Sequence, residues 1–233
     1  MPTPFAWIQC ANPNCNLRVP ATGGHRMDRC PRCHAPASIV ATGVAADVER
    51  GGRGDDSMHP RLPVELVIDN VRSAFNVGSI VRSADGAAVA ALHLCGFTPT
   101  PDHPRVAKTA LGAEMSVPWR SHPNALHLVE ARRQAGAAIW ALETTPDALS
   151  LWETPLPPVT PDRPLLLIAG NEVTGVDPAI LRLADAVVEI PMRWHKQSLN
   201  VAVAVGIALT LVGARIPTTI GSCINTGKSH ANT

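Results

Sequence analysis

Short apolar runs alternate with segments of helical period over much of this chain. Apolar residues spaced near 3.6 predict helices at 77–88, 124–135, 178–183 and 198–215. Five runs rich in Val, Ile and Leu predict buried strands: ELVID at 65–69, ALHLC at 91–95, AIWAL at 138–142, LLLIA at 165–169 and AVVEI at 186–190. This alternation predicts an α/β domain around a mostly parallel sheet, with ligand sites in loops at the carboxyl ends of the strands.

The last predicted helix, 198–215, is apolar nearly all round. A helix of this kind is buried on both sides. Its second side is expected to face either the core of the same chain or a second subunit, and the pattern does not choose between them.

The pattern breaks where glycines, charges and prolines gather without a sustained apolar period, which predicts a linker at 43–63. The linker separates a small cysteine-rich module at 1–42 from the larger domain at 64–215. The tail, 216–233, is polar and rich in Ser, Thr, Asn and Gly, and we expect it to be disordered or a vector remnant.

Composition narrows the class of protein. The chain has 233 residues and 45% apolar residues, and its formal net charge is +1. It can therefore bury a real core, and it is too balanced in charge for a histone-like protein or an acidic disordered tail. Aromatic residues make up 3% of the chain and Tyr is absent, which disfavours an RNA-binding platform built on stacked aromatic rings.

Nothing in the sequence predicts a membrane or secreted protein. The chain opens MPTPFAWIQC, without a charged segment followed by a hydrophobic one. The longest apolar stretch, 199–214, contains Asn200 and Thr210 and is shorter than the roughly 18 residues that span a bilayer. We therefore expect a soluble, cytoplasmic protein.

Most of the cysteines lie in two pairs near the amino terminus, with the layout of a zinc ribbon: Cys10-x4-Cys15 and Cys30-x2-Cys33. Four thiolates close the tetrahedral shell of Zn²⁺, so the metal would be structural and would supply most of the folding free energy of this short segment. His25 or His34 could replace one thiolate. Reduced cysteines without metal would leave the segment without a core.

Several other cysteines, histidines and arginines are not expected to take part in catalysis or metal binding. Cys95 and Cys223 are expected to be a core thiol and a tail thiol. The spacing of His93, His103, His122 and His127 does not predict a metal site, so no metal is assigned to them. The pair Arg132 and Arg133 could contact phosphate, but we expect both residues to lie on a solvated face of the predicted helix.

Three segments of the larger domain carry the candidate chemistry. In the first, VIDNVRSAFNVGSIVRSADG, Asn76 is predicted to begin a helix that also carries Arg82. The second, LLLIAGNEVTG, places Gly170 and Glu172 after a buried strand. In the third, EIPMRWHKQSLN, a polar loop leads to Ser198 and Asn200 at the start of the last helix.

Together these segments resemble the SpoU (TrmH) family of the SPOUT class, whose members use S-adenosylmethionine to methylate ribose 2′-hydroxyls of tRNA or rRNA. The resemblance covers about residues 64–214. It implies a parallel sheet whose carboxyl-terminal part forms a deep trefoil knot. It also implies a homodimer with the active site near the subunit interface, an RNA partner, and no DNA or membrane partner.

The resemblance also assigns roles to individual residues. Residues that match the family's catalytic positions are Asn76, Arg82, Glu172, Ser198 and Asn200. Residues that match its cofactor contacts are Gly170, Ile190 and Leu199. This chain departs from the family at Trp194, where many relatives have glycine; His195 and Lys196 follow.

Removal of the hydroxyl proton is the demanding part of the implied reaction, because a ribose hydroxyl is barely ionised at pH 7. Arg82 could hold the substrate phosphate and orient the hydroxyl, or it could lose a proton in a desolvated site and act as the base. His195 is a rival base. We hypothesise that Arg82 is needed for turnover and not for cofactor binding.

The sequence also bears on two other functions. A nicotinamide dehydrogenase is excluded because no Gly-x-Gly-x-x-Gly follows a predicted strand. The remaining alternative is a non-catalytic RNA-binding relative that uses the zinc ribbon to reach its target.

Overall fold

A computed structural model describes residues 4–22, 28–44, 60–195 and 198–217. The chain forms two compact units, one within residues 1–58 and the other within residues 59–233. The predicted tail is outside the described residues from 218 onward, as are His25 and Lys196.

The amino-terminal unit is a three-stranded antiparallel sheet in the order β2-β1-β3. Its strands are β1 (Pro4–Cys10), β2 (Arg18–Thr22) and β3 (Ala37–Val44), so the last strand extends past the predicted module boundary at 42. The described buried apolar residues of this unit are only Ile8, Cys10 and Cys30.

The second unit contains a seven-stranded sheet in the order β6-β5-β4-β9-β7-β10-β8, and every pair in it is parallel. The prediction of a mostly parallel sheet is confirmed. The strands are β4 (Leu62–Asp69), β5 (Val89–Cys95), β6 (Trp119–His122), β7 (Ala138–Leu142), β8 (Leu149–Ser150), β9 (Leu165–Ala169) and β10 (Ala186–Glu189).

Five α-helices among the described residues cover the sheet. They are α1 (Ala74–Gly86), α2 (Pro104–Ala110), α3 (Ala125–Gln134), α4 (Pro178–Leu183) and α5 (Val201–Arg215), with a single 3-10 turn at Ala113–Met115. One apolar cluster joins the sheet to α1, α2 and α5, and a second joins its other face to α3 and α4. The central strands of the sheet are therefore buried on both faces, which explains why they read as continuous apolar runs.

Two helices begin at residues other than those predicted. Ser73 caps α1, since its hydroxyl accepts a hydrogen bond from the Asn76 N–H at 3.3 Å, so Asn76 lies inside the first turn and does not begin the helix. Asn200 caps α5 by accepting from the Ala202 N–H at 2.8 Å, so the predicted start at Ser198 is wrong. In each case a second polar residue near the true cap misled the prediction.

The last helix is buried along one face only. Val205, Ala208, Leu209 and Val212 are buried in the domain core, whereas Val203 is 50% exposed. Burial in the core is therefore confirmed for one side of α5. Among the described residues, no helix combines the length and apolar character needed to cross a membrane.

Candidate functional site

The three polar segments meet in a recess of about 630 Å³ at the carboxyl edge of the parallel sheet, where ligand sites of open α/β sheets lie. The residues that match the family's catalytic and cofactor-contact positions line the recess, with the exception of Arg82: Asn76, Gly170, Glu172, Ile190, Ser198, Leu199 and Asn200. Leu142 and Met192 add apolar surface. The recess thus combines a partly apolar lining with a few polar groups, as small-molecule sites do.

A chain of side-chain hydrogen bonds joins the three segments. The Asn200 amide donates to Asn76 Oδ1 at 3.1 Å, and the Asn76 amide donates to Glu172 Oε1 at 3.2 Å. Asn200 lies 124 residues from Asn76 in sequence, and Glu172 lies 96 residues from it. Asn76 is therefore the central member, and its place in the first turn of α1 lets it reach both partners.

Glu172 is held as a carboxylate. Besides the Asn76 amide, it accepts hydrogen bonds from the backbone N–H groups of Arg72 at 3.3 Å and Ser73 at 3.4 Å. Burial raises the pKa of Glu172, but hydrogen bonds from its own backbone, Asn76, Arg72 and Ser73 outweigh burial and leave its pKa below the ordinary value. A negative charge therefore stands at the mouth of the recess at neutral pH.

A tight loop follows β9 and forms one wall of the recess. Asn171 and Gly175 exchange backbone hydrogen bonds of 3.0 and 2.9 Å. A Cβ atom at Gly170 would lie 2.2 Å from the Gly175 carbonyl oxygen, so any larger residue at position 170 would break this loop. The Asn171 amide also donates to the Asn70 carbonyl at 2.7 Å, which ties the loop to the end of β4.

Glu143 is a lining residue that the sequence reasoning missed. Its carboxylate accepts from the Val176 N–H at 2.8 Å and from the Thr144 N–H at 3.0 Å. Gly175 has a positive φ of 72°, and a Cβ atom there would lie 2.2 Å from Glu143 Oε2. The available signal was position, because Glu143 directly follows a predicted buried strand, at the edge where parallel sheets place their ligands.

Arg82 lies apart from the recess. It is exposed on α1, about 9 Å along the helix axis from Asn76. Its guanidinium has no hydrogen-bond or ion-pair partner in the part of the chain that the structure describes. The rival base, His195, is also exposed and outside the recess lining, and its ring packs edge-on against Trp194 with centroids 4.9 Å apart.

The four amino-terminal cysteines converge. The Sγ atoms of Cys10, Cys15, Cys30 and Cys33 all lie within 4.8 Å of one another, with 3.4 Å between Cys10 and Cys33 and 3.8 Å between Cys15 and Cys30. Tetrahedral zinc with Zn–S bonds of about 2.3 Å requires S–S separations of about 3.8 Å. All four are free thiols, and backbone N–H groups of Asn12 and Arg32 point at Cys10 and Cys30 at 3.4 Å. The residues present fit a zinc ion.

A second polar network is buried beneath α3. Glu65 and His93 are 7% and 2% exposed, and His93 bridges Glu65 Oε2 and His122 Nε2 at 3.0 Å each. Arg132 pairs with the other oxygen of Glu65. Arg133 contacts the Leu183 carbonyl and lies 3.4 Å from Asp185. The expectation of a solvated helix face agrees with Arg133, whose side chain and that of Asp185 are both about half exposed. It is wrong for Arg132, which is partly covered because its guanidinium pairs with the buried Glu65.

Fold and recess together define an α/β domain with a recess suited to a small molecule at the carboxyl edge of a parallel sheet. The model of the SpoU rRNA Methylase family matches residues 63–210, and the chain belongs to this family. The predicted family is confirmed.

Named relatives include enzymes that act on rRNA and on tRNA. A Burkholderia protein named 23S rRNA (guanosine-2'-O-)-methyltransferase RlmB is 35% identical over 153 residues, which are 63% of this chain and 57% of that protein. A Thermus thermophilus tRNA (guanosine(18)-2'-O)-methyltransferase is 29% identical over 69% of this chain and 79% of its own length. The chain thus spans little more than half the length of the Burkholderia relative.

Among solved structures, the AdoMet-bound rRNA methyltransferase of Sinorhizobium meliloti superposes with a TM-score of 0.61 at 26% identity. The match covers 70% of this chain and 60% of that one.

Proposed function

We propose that this protein transfers a methyl group from S-adenosylmethionine to a ribose 2′-hydroxyl of tRNA or rRNA. The hydrogen-bond chain from Asn200 through Asn76 to Glu172 carries the proposal, because it assembles three distant polar segments around one recess. The names of the relatives support the same reaction.

S-adenosylmethionine would occupy the recess at the carboxyl edge of the sheet. When bound, it supplies a methyl group already activated by a sulfonium. Gly170 permits the tight loop that forms one wall, Ile190 and Leu199 offer apolar contact, and the ionised Glu172 favours a cationic ligand. Ser198 is exposed at the rim, beside the cap of α5.

The chain's own contribution is to place the ribose hydroxyl and to assist loss of its proton. Arg82 would act on the RNA, either by binding a phosphate or by accepting the proton, because its guanidinium is exposed and outside the cofactor recess. Arg82→Ala should then abolish turnover while leaving the dissociation constant for S-adenosylmethionine within twofold of wild type. Normal turnover, or lost cofactor affinity with normal turnover at saturation, would contradict this role.

The protein would act as a homodimer with the active site near the subunit interface. Two observations support this proposal: the outer side of α5 exposes apolar Val203, and Arg82 is distant from the recess of its own chain. A mixture of inactive Arg82→Ala and Asn76→Ala chains tests it. If each site takes Arg82 from one subunit and Asn76 from the other, random pairing should restore about a quarter of wild-type activity. If no activity returns, the site is contained within one chain.

The last strand supports a threaded carboxyl-terminal region, as expected for a trefoil knot. β10 pairs with β7 on one side and with β8 on the other, although both precede it in sequence. The Leu151 N–H donates to the Glu189 carbonyl at 2.8 Å beside this pairing.

In the amino-terminal unit, Cys10, Cys15, Cys30 and Cys33 would hold a structural Zn²⁺, supported by the fit of their Sγ positions.

The enzyme is tested with RNA prepared from a strain of the source organism that lacks this gene. Tritium from methyl-labelled S-adenosylmethionine should enter the RNA, and the labelled nucleotide should resist alkaline cleavage because its 2′-hydroxyl is blocked. Label on a base would contradict ribose methylation. RNA binding without detectable cofactor binding would favour the non-catalytic alternative.

A further inference from the structure

A second recess, of about 560 Å³, opens beside the first. Asn171 and Val173 line both recesses, so the two share a wall. Its lining consists of Asn70, Arg72, Phe97, Asn171, Val173 and Thr174. None of these residues is among the candidate catalytic or cofactor-binding positions.

Phe97 is unusually exposed for its residue type. Its side chain is 84% exposed and neighbouring Val173 is 91% exposed, although burial of such side chains stabilises a fold by roughly 1.5–3 kcal/mol each. This domain therefore forgoes apolar burial at one place beside its candidate active site. Isolated exposed apolar residues are ordinary, but an aromatic ring on the rim of a recess is typical of a binding site.

The backbone beneath the Phe97 ring is held firmly. The Phe97 N–H donates to Asn70 Oδ1 at 3.2 Å, and the Asn70 N–H donates to the Cys95 carbonyl at 3.1 Å. Gly96 has a φ of 62°, and a Cβ atom there would lie 2.2 Å from Asn70 Oδ1. Thr98 completes the support with a 2.7 Å hydrogen bond to the Cys95 carbonyl. The exposed ring thus stands on a rigid turn.

Arg72 supplies a positive charge on the same rim. It is exposed, and over the described ranges its guanidinium has no hydrogen-bond or ion-pair partner. Its backbone N–H donates to Glu172 at 3.3 Å, which fixes Arg72 relative to the candidate active site. An aromatic face with an adjacent cation matches the base and the phosphate of one nucleotide.

We propose that this recess binds an unpaired base of the RNA next to the methylated nucleotide, with the base stacked on Phe97 and its phosphate contacting Arg72. The inference rests on the proposed function, and it assigns the RNA-binding part of that site. An RNA is favoured over a protein partner because the recess adjoins the cofactor wall and carries one ring and one cation, the scale of a single nucleotide.

The recess should accept any base. Asn70 and Asn171 already use their side-chain amides within the protein: Asn70 bonds the Phe97 N–H and Asp69, and Asn171 bonds the Asn70 carbonyl and the N–H groups of Val173 and Thr174. The exposed Thr174 hydroxyl is a remaining polar group on the rim. Stacking without base-edge hydrogen bonds is tolerant of sequence, so base identity must be read elsewhere.

Two readouts on Phe97→Leu test the stacking. The first is KM for RNA from the gene-deletion strain. The second is the dissociation constant for an unpaired, mixed-sequence 12-nucleotide RNA carrying 2-aminopurine, whose fluorescence falls when the base stacks. Both constants should rise about tenfold and the quenching should be lost, whereas Phe97→Trp should retain both. Affinity for S-adenosylmethionine should stay within twofold of wild type, which a collapsed loop would not allow.

Matched controls lie at the amino ends of the strands, on the side of the sheet away from the two recesses. Met115→Ala removes an exposed apolar side chain before β6, and Arg163→Gln removes an exposed cation before β9. Neither should change the two constants. Arg72→Gln should reduce the slope of log affinity against log salt by about 0.7, the value for one phosphate contact on a single strand.

The results separate this inference from the proposed function. If wild type methylates RNA but Phe97→Leu leaves both constants within twofold, the recess does not bind a base. If wild type transfers no methyl group but 12-mer binding depends on Phe97, the proposed reaction is wrong and the base-binding recess stands.

Discussion

The two units of this protein differ in what stabilises them. The described part of the amino-terminal unit buries three apolar residues, two of which are cysteines of the thiol cluster. The second unit encloses its sheet between two apolar clusters, and Leu66, Ile68 and Leu167 in that sheet are fully buried. A small unit with so little buried apolar surface would depend on the proposed zinc for its stability, whereas a sheet covered on both faces would not. The predictions below test this difference, from the largest expected effect to the smallest.

Removal of zinc should unfold the amino-terminal unit and spare the other. Purified protein should contain one zinc per chain, and Cys30→Ser should lose it. Amide hydrogens of residues 4–22 and 28–44 should then exchange rapidly, while those of 62–95 stay protected. Cys95→Ala is the control, because Cys95 is a buried thiol of the other unit and should leave the zinc content at one. Slow exchange in a zinc-free cysteine-rich unit would show that another interaction holds it.

Truncation of a core side chain should destabilise the second unit and leave the amino-terminal unit unchanged. Leu167→Ala leaves a cavity in the middle of β9, and it should lower the free energy of unfolding of the second unit by about 2–5 kcal/mol. Zinc content should not change. Denaturant unfolding of wild type and variant gives the free energy, and a parallel loss of zinc would contradict independence of the two units.

The buried Glu65 network should make the second unit sensitive to acid. Burial raises the pKa of Glu65, but the hydrogen bond from His93 and the charge of Arg132 outweigh it and lower this pKa below 4.5. Burial and nearby positive charges lower the pKa of His122 below 6.5. For both groups the unfolded chain takes up the proton first as pH falls. Stability should therefore begin to fall below about pH 6.5 through His122, and fall further below about pH 4.5 through Glu65.

Glu65→Gln measures the share of the carboxylate in this network. It should lower the free energy of unfolding at pH 7 by about 1.5–3 kcal/mol, because it removes a buried charged acceptor of two hydrogen bonds. It should also flatten the loss of stability at the acid end, where the wild-type carboxylate would be protonated. An unchanged acid limb in the variant would assign that sensitivity to other carboxylates.

Glu143→Gln should have the smallest effect, and this effect should be on the affinity for S-adenosylmethionine. Glu143 accepts a hydrogen bond from the Val176 N–H and lines the recess proposed to bind the cofactor. The variant should therefore weaken binding of S-adenosylmethionine about tenfold, equivalent to about 1.4 kcal/mol. Titration calorimetry measures the change. Glu130→Gln, an exposed carboxylate on α3, is the control and should bind the cofactor as wild type does. Equal affinities for both variants would exclude a positioning role for Glu143.

Much of the fold could be predicted from local pattern. Strands 138–142 and 165–169 and helix 178–183 have the predicted bounds, because each is a distinct apolar run or a helix capped by Asp177 with Pro178 in its first turn. In the second unit, helix α2 and the short strands β6 and β8 were missed. These two strands are the outermost strands of the sheet. β6 has the sequence WRSH and β8 has only two residues, so neither contains the apolar run that predicts a strand.

Only part of the candidate site could be predicted from the sequence. Glu172 and Asn200 could be placed near strand and helix ends from sequence, and they line the recess. Arg82 was grouped with them by family resemblance, yet it lies outside the recess of its own chain. Glu143 and Phe97 were missed because a single carboxylate or phenyl ring after a strand carries no periodic signal. Position after a strand marks the edge of the sheet but does not show which neighbours the side chain meets in space.

By itself, the sequence determined the five apolar strands of the second unit, the paired cysteines and the polar residues at the strand ends, because these depend on local spacing and residue type. The tertiary structure decided which of those residues meet. It placed β9 between β4 and β7, and it brought Asn200, Asn76 and Glu172 into one hydrogen-bond chain. It also set an exposed phenyl ring on a hydrogen-bonded turn beside the candidate site. The physical reason is range: periodicity extends over a few residues, whereas these contacts join groups about 100 residues apart.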